Sequence, residues 1–263
     1  MPATELLLCS LLITGCPSPC APAVAPISYL YQPAFCMDYV LRPPVAPYCP
    51  QPGDLFLCTG REIWAKLGHW AAGTGAPQHS GIVVLRPDGT FGLLEAGPHN
   101  TLHCRVLDLY PQLQSYAEIE RVWIRRRRVP LTPEQSCRLS AFALAEDGKP
   151  FAVFRMLGQL TPFRSRRSRR IEYVGGPHGD RRSYFCSELV TEACVAAGLL
   201  DPVTTRPAAM YPRDLFFGRS RNCFIDEHLD MSCWDPPARW TACPGAEPEI
   251  GKHHPRLDGD TDR

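Results

Sequence analysis

The chain has 263 residues, 44% of them hydrophobic, and a formal net charge of +1. That is length and apolar content enough for a large globular domain, and the near-neutral balance excludes the global positive field of a general nucleic-acid binder. The charge is unevenly spread: between Arg121 and Arg182 there are 14 Arg and 1 Lys against 5 acidic residues, in a chain with only 3 Lys.

The N-terminus reads "MPATELLLCSLLITGCPSPCAPAVAP". Leu6 to Ile13 is an apolar run of signal-peptide length, too short to span a bilayer. The "ITGC" that ends at Cys16 resembles the lipidation box of bacterial lipoproteins, and "AVA" near Ala25 is a competing cleavage site. Residues 1–25 are therefore expected to be a signal peptide or lipoprotein signal. The expected location is the cell envelope or periplasm, with membrane attachment through Cys16 if it is lipidated; a cytoplasmic location is the alternative. Export would permit disulfides. The 13 cysteines are odd in number, so at least one stands outside intramolecular pairs.

Residues 26–50 are proline-rich, a composition that resists helix and central strand, and they predict a linker or wrapping segment. From Gly53 the pattern changes. "DLFLCTG" predicts a strand and "REIWAKLGHWAAG" a short helix. "HSGIVVLRPDGTFGLLEAGP" predicts two strands around a turn. "RVLDLYPQL" and "AEIERVWIRRRRV" read as further strand-like runs. In "LTPEQSCRLSAFALAEDGK" Thr132 can N-cap a helix, Pro133 suits its first position, Gln135 completes a capping box and Gly148 supplies a stop. Residues 164–182 form an Arg-rich loop. A helix then begins at "FCSELVTEACVAAGLL", with Leu189, Val190, Ala193 and Ala197 on one face. Residues 221–263, beyond a domain spanning 51–220, predict a Cys-bearing, mostly irregular tail.

The placement of Cys186 in the first turn of a core helix has two readings. Cysteine is a small apolar residue often found buried. A helix N-terminus also favours the thiolate, which is the nucleophilic form. The second reading needs a base, and His79 opens the apolar strand "HSGIVVL". A three-residue loop over Pro87, Asp88 and Gly89 pairs Arg86 with Thr90, and His79 and Glu95 then share a sheet face as diagonal neighbours. A two-residue Asp-Gly loop would put them on opposite faces; the proline favours the first register. The remaining open reading of Glu95 is the exposed face of an edge hairpin.

"PGDLFL", "HSGIVV", "LLEAGP", "GKPF", "YFCSELV" and "YPRDL" occur in that order. Together they resemble the permuted papain-like amidases of the YaeF/YiiX group, within the NlpC-like cysteine hydrolase superfamily. The resemblance covers roughly residues 51–217. It implies an α+β, circularly permuted papain-like fold, in which an antiparallel, partly barrelled sheet packs on a helix with the nucleophile at its N-terminus. It also implies Cys186 as nucleophile, His79 as base and Glu95 as orienter of the imidazole. The reaction would be acyl transfer with no cofactor and no metal, acting on a peptide, cell-wall peptide or lipid-like acyl substrate, with no nucleic-acid partner. The Cys186 N–H and the Tyr184 hydroxyl are candidate oxyanion donors. Where the group often has Tyr-Asp after "G-x-P", this chain has Phe151 and Ala152. The same residues would serve a lipid-directed acyltransferase or esterase, for which Arg125 to Arg128 are candidate lipid contacts. A non-catalytic binding module would lack one of the three residues. A metal site from Cys223, His228, Cys233 and Cys243 lacks the tight Cys-x-x-Cys spacing.

Overall fold

The computed structural model describes residues 28–31, 41–59, 75–97, 101–119, 121–158, 178–220 and 229–242. The expected signal with Cys16, the expected helix near residues 61–73, most of the Arg-rich loop, and Cys223, His228 and Cys243 lie outside them. Among the described residues, no helix is long and apolar enough to cross a membrane.

The protein is α+β, built on one antiparallel sheet of eight strands. These are β1 (Tyr29–Tyr31), β2 (Val45–Pro47), β3 (Leu55–Thr59), β4 (His79–Leu85), β5 (Phe91–Ala96), β6 (Cys104–Asp108), β7 (Arg121–Arg125) and β8 (Ala238–Thr241). Their spatial order is β2-β1-β8-β7-β3-β4-β5-β6, with each neighbouring pair antiparallel. The sheet is open, with β2 and β6 at opposite ends of that order, rather than barrelled. The helices are α1 (Leu109–Ile119), α2 (Pro133–Glu146), α3 (Val153–Gly158), α4 (Cys186–Ala196) and α5 (Pro212–Phe217).

Side chains alternate across a strand, so the two faces of the sheet feed two separate cores. Leu55, Leu57, Ile82, Val84 and Leu94 pack with Leu139 and Ala143 of α2 and with Leu189, Val190 and Ala193 of α4. Phe56, Cys58, Val83 and Leu93 pack on the other face with Leu109, Leu113 and Tyr116 of α1. Helix α2 has the expected cap. The Gln135 N–H donates to Thr132 Oγ1 at 3.2 Å and the Thr132 N–H to Gln135 Oε1 at 3.1 Å.

Three stretches differ from the sequence expectation. Of the two strand-like runs, "RVLD" and "RVWIR" are in β6 and β7, but "LYPQL" and "AEI" belong to helix α1. Its buried residues Leu109, Leu113 and Tyr116 fall at helical spacing, and Pro111 sits in the first turn, where its missing N–H costs nothing. The proline-rich segment and the expected tail both join the sheet: β1 pairs with β2 on one side and with β8 on the other. Trp240 of β8 and Tyr48 beside β2 are buried in the α1-side core, and those aromatic anchors outweigh the irregular composition around them.

The hairpin β4–β5 has the register that the three-residue loop requires. The Arg86 N–H donates to the Thr90 carbonyl at 2.9 Å and Gly89 has φ +81°. Asp88 Oδ1 holds the loop by accepting from the Thr90 N–H and hydroxyl. Gly81 therefore faces Glu95, and Ile82 faces Leu94.

The "PGDL" motif is structural. Asp54 is fully buried, and its carboxylate accepts from the Arg127 N–H at 2.7 Å, the Gln51 N–H at 3.1 Å and the Tyr48 hydroxyl at 3.0 Å. It clamps the start of β3 to the end of β7 and to the segment after β2. Burial pushes its carboxyl up to about 7, against the lowering effect of these hydrogen bonds. Asp54→Ala strands three donors, two of them buried, so we expect a loss of about 2–4 kcal/mol in unfolding free energy by chemical denaturation. A group whose folded pKa is raised favours folding most below its unfolded value. The Asp54 contribution therefore falls as pH rises from about 4 to about 7, and the variant should lack that slope.

Candidate active site

Helix α4 is buried along its whole length from Cys186 to Val195, beyond the single apolar face its sequence suggests. Two glutamates inside it are accommodated by pairing. Glu188 meets Arg155 at 2.9 Å and Arg181 at 3.1 Å, and Glu192 accepts from the Gly179 N–H and from Arg181 Nε at 3.3 Å. Unpaired, either carboxylate would carry a desolvation cost of several kcal/mol. Burial still pushes Glu192 up to about 7. The Ser187 hydroxyl donates to the Met210 carbonyl at 2.7 Å and fixes the first turn against the 3-10 turn Pro207–Ala209.

Cys186 opens this helix and is 8% exposed. No side chain caps the helix start; Glu188 accepts from the Phe185 N–H at 3.4 Å. The first-turn N–H groups of Cys186 and Ser187 have no intrahelical acceptor by the geometry of a helix, and they place partial positive charge beside the sulfur. The thiol lies 3.8 Å from the Gln78 carbonyl and within hydrogen-bond reach of His79.

His79 stands at the first position of β4, on the α1 face of the sheet. Its ring packs edge-on to Phe56, with centroids 6.1 Å apart, and lies 5.6 Å from the Tyr116 ring. His79 Nε2 meets Glu95 Oε2 at 2.6 Å. With Nε2 committed to the carboxylate, Nδ1 is the ring nitrogen left to exchange a proton with the thiol. Glu95 is wholly buried, which rules out the exposed-edge reading of its strand. Tyr116 donates its hydroxyl to Oε2 and Gln112 its amide to Oε1, both at 2.8 Å. His79 thus links the Glu95 carboxylate, which it contacts directly, to the Cys186 thiol, whose ionisation it favours, in one chain of interactions.

The electrostatics follow from that chain. Burial opposes charge on both Cys186 and His79, but their mutual contact outweighs it. Hydrogen bonds and charge from Cys186 and Glu95 push the imidazole up to about 10. The imidazole in turn holds the Cys186 thiol below its ordinary value. The Ser80 hydroxyl, wholly buried and with no other partner among the described residues, also favours the thiolate. Each of the two groups thus favours the charged form of the other. Burial has the opposite effect elsewhere: it pushes Cys194 on the same helix up to about 12, and, with the charge of Glu146, does the same to Cys104.

Some expected residues take other roles. Tyr184 is wholly buried. Its hydroxyl accepts from the Arg181 N–H at 3.2 Å, which ties it to the segment before α4. Phe151 packs over Gly97, where an added Cβ would meet its ring at 2.8 Å, and supplies no polar group. Arg125 and Arg127 are buried in the framework, the first donating to the Leu215 carbonyl at 2.7 Å and the second stacked 4.4 Å from the Trp234 ring. Of the four residues Cys223, His228, Cys233 and Cys243, whose spacing argued against a metal site, only Cys233 is described, and it is exposed. Among the described residues no group of three or more His, Cys, Asp or Glu could hold a metal ion. Gln112 and Tyr116 were not foreseen; their spacing of four along an amphipathic helix was the available signal.

No family model matches the chain, and no curated protein matches it. Among solved structures it is similar to the metalloprotein yiiX from Escherichia coli O157:H7, with a TM-score of 0.39 and 18% identity, over 60% of this chain and 69% of that one.

The contrast between thiols can be measured. In the folded protein at pH 6, iodoacetamide should alkylate Cys186 at least about tenfold faster than Cys194 or Cys104. His79→Ala should move the midpoint of the Cys186 profile upward, toward the ordinary thiol value of roughly 8.5. Equal labelling of Cys186 and Cys194, indifferent to His79, would leave Cys186 a buried apolar residue.

Proposed function

We propose that the protein is a thiol hydrolase that cleaves an amide bond through an acyl-enzyme, and that it belongs to the permuted papain-like group its motifs resemble. The observation that carries this reading is the position of His79, in hydrogen-bond reach of the Cys186 thiol on one side and 2.6 Å from the buried Glu95 carboxylate on the other.

In this mechanism the Cys186 thiolate attacks the carbonyl carbon and forms a C–S bond. Negative charge moves to the carbonyl oxygen, where the Cys186 N–H at the helix start can stabilise it. His79 gives the Nδ1 proton to the departing nitrogen as the C–N bond breaks. Water then loses a proton to His79 and attacks the thioester, releasing a carboxylic acid and restoring the thiolate. Glu95 fixes the ring by accepting from Nε2–H, as the third member of such triads does. An imidazole held in its charged form suits an amide, whose nitrogen leaves only when protonated.

A peptide acyloxymethyl ketone probe, read by intact mass and peptide mapping, tests this. One adduct is expected, on Cys186, and none in Cys186→Ser. Glu95→Gln should lower hydrolysis of a mixed peptide library by about 10²–10⁴-fold while Cys186 remains folded into place. Hydrolysis undiminished in Cys186→Ser would overturn the assignment.

A further inference from the structure

Two arginines share the thiol's face of the sheet and lie within substrate reach of it. Side chains on one face recur at every second position of a strand. On the α4 face of β7, Trp123 packs edge-on to Phe216 of α5, with ring centroids 5.4 Å apart. Arg121, two residues before it, emerges on the same face. On β8, Ala238 and Trp240 enter the α1-side core, so Arg239 between them emerges on the α4 face as well. Trp123 is the cross-strand partner of Arg239, and continuing that register makes Arg121 and Arg239 diagonal neighbours.

Both arginines are partly buried. Among the described residues neither guanidinium meets a carboxylate. The Arg239 guanidinium lies 5.8 Å from the Trp123 ring, and burial and the charge of Arg121 push it down to about 10. Half-buried arginines elsewhere are paired: Arg86 meets Asp108, and Arg181 meets Glu188 and Glu192. Two neighbouring like charges without a counter-ion oppose folding, and an anion bound between them offsets that cost.

The register also sets their distance from the thiol. Arg121 pairs with Thr59, and Cys58 pairs with His79, which leaves Thr59 opposite Gln78. The Gln78 carbonyl lies 3.8 Å from the Cys186 sulfur. Arg121 is therefore two strands across from the backbone that touches the thiol, about 10 Å away by strand spacing. Thr59 and Gln78, which lie between, are partly exposed on the same face. An extended peptide covers that distance in about three residues.

We infer that Arg121 and Arg239 select the substrate: the peptide held at Cys186 carries a carboxylate about three residues from the scissile amide, and the two guanidiniums bind it. This rests on the thiol chemistry proposed above and adds the class of substrate. The carboxylate is either an acidic side chain or the free C-terminus of the peptide.

Binding and turnover are read separately. Labelled heptapeptides with Glu or Gln at each position in turn, and with free or amidated C-termini, are titrated into the whole chain carrying Cys186→Ser, and the unlabelled set is offered to the wild type for hydrolysis. The carboxylate-bearing peptides should bind about tenfold more tightly than their matched Gln or amide forms. A preference for Glu assigns a side chain, and a preference for the free over the amidated end assigns the terminus. Arg121→Gln/Arg239→Gln should abolish the preference, and Arg121→Glu/Arg239→Glu should turn it toward Lys-bearing peptides. Selective binding without hydrolysis supports the carboxylate site and removes the hydrolase reading alone. Binding or hydrolysis with no preference for the carboxylate, or a preference undiminished in the folded Gln variant, overturns the site, as does no binding at all. Should the variants fail to fold by circular dichroism, salt decides with the arginines in place: the preference should fall severalfold between about 0.05 and 1 M sodium chloride, and a preference indifferent to salt overturns the inference.

Discussion

Glu95 places a carboxylate where no water reaches it, between the sheet and α1, and much of the architecture follows from satisfying that group. A buried carboxylate without donors is not tolerated. Tyr116 and Gln112 supply two hydrogen bonds from α1, and His79 supplies the third from the neighbouring strand. Helix α1 is thereby tied to β4 and β5 by polar contacts as well as by Leu109 and Leu113. The imidazole is tied too: its Nε2 must donate, and its other nitrogen is left for the thiol.

The site straddles the sheet. Helix α4 and its cysteine belong to one core, Glu95 and its donors to the other. Only near the end of a strand can a side chain on one face approach a group that belongs to the other. His79 satisfies that condition by being the first residue of β4. Two residues further in, at Gly81, an imidazole on the same face would be walled from the thiol by the strand itself. The buried glutamates of α4 serve the same placement, because their arginines fix the helix that presents the cysteine.

Much of this was legible from short-range chemistry. "RPDGT" dictates its own loop geometry, and that geometry determines which residues of two strands share a face, so the relation of His79 to Glu95 could be read from turn residues alone. The α2 cap was legible for the same reason. Features set by distant partners were not. "LYPQLQSYAEI" contains the β-favouring residues that mislead a local reading, and its identity as a helix rests on a face that packs only in three dimensions. Tyr184 precedes the cysteine by two residues, yet its hydroxyl is engaged by the Arg181 N–H, which nearness to the cysteine does not reveal. The proline-rich segment and the expected tail looked unstructured because each lacks an apolar pattern of its own; they become strands by pairing with each other.

That last pairing bears on how the molecule is made. Among the described residues the hairpin of β1 and β2 pairs with the rest of the sheet through β8, and the ion pair between Arg42 and Asp235 spans 193 residues. A ribosome delivers the hairpin first and its docking strand last. For most of synthesis β1 is a free edge, with unpaired N–H and carbonyl groups of the kind that recruit foreign strands. The prolines crowding this segment, beyond shaping the folded state, give the nascent chain a stretch in which few residues can lend themselves to an unwanted ladder.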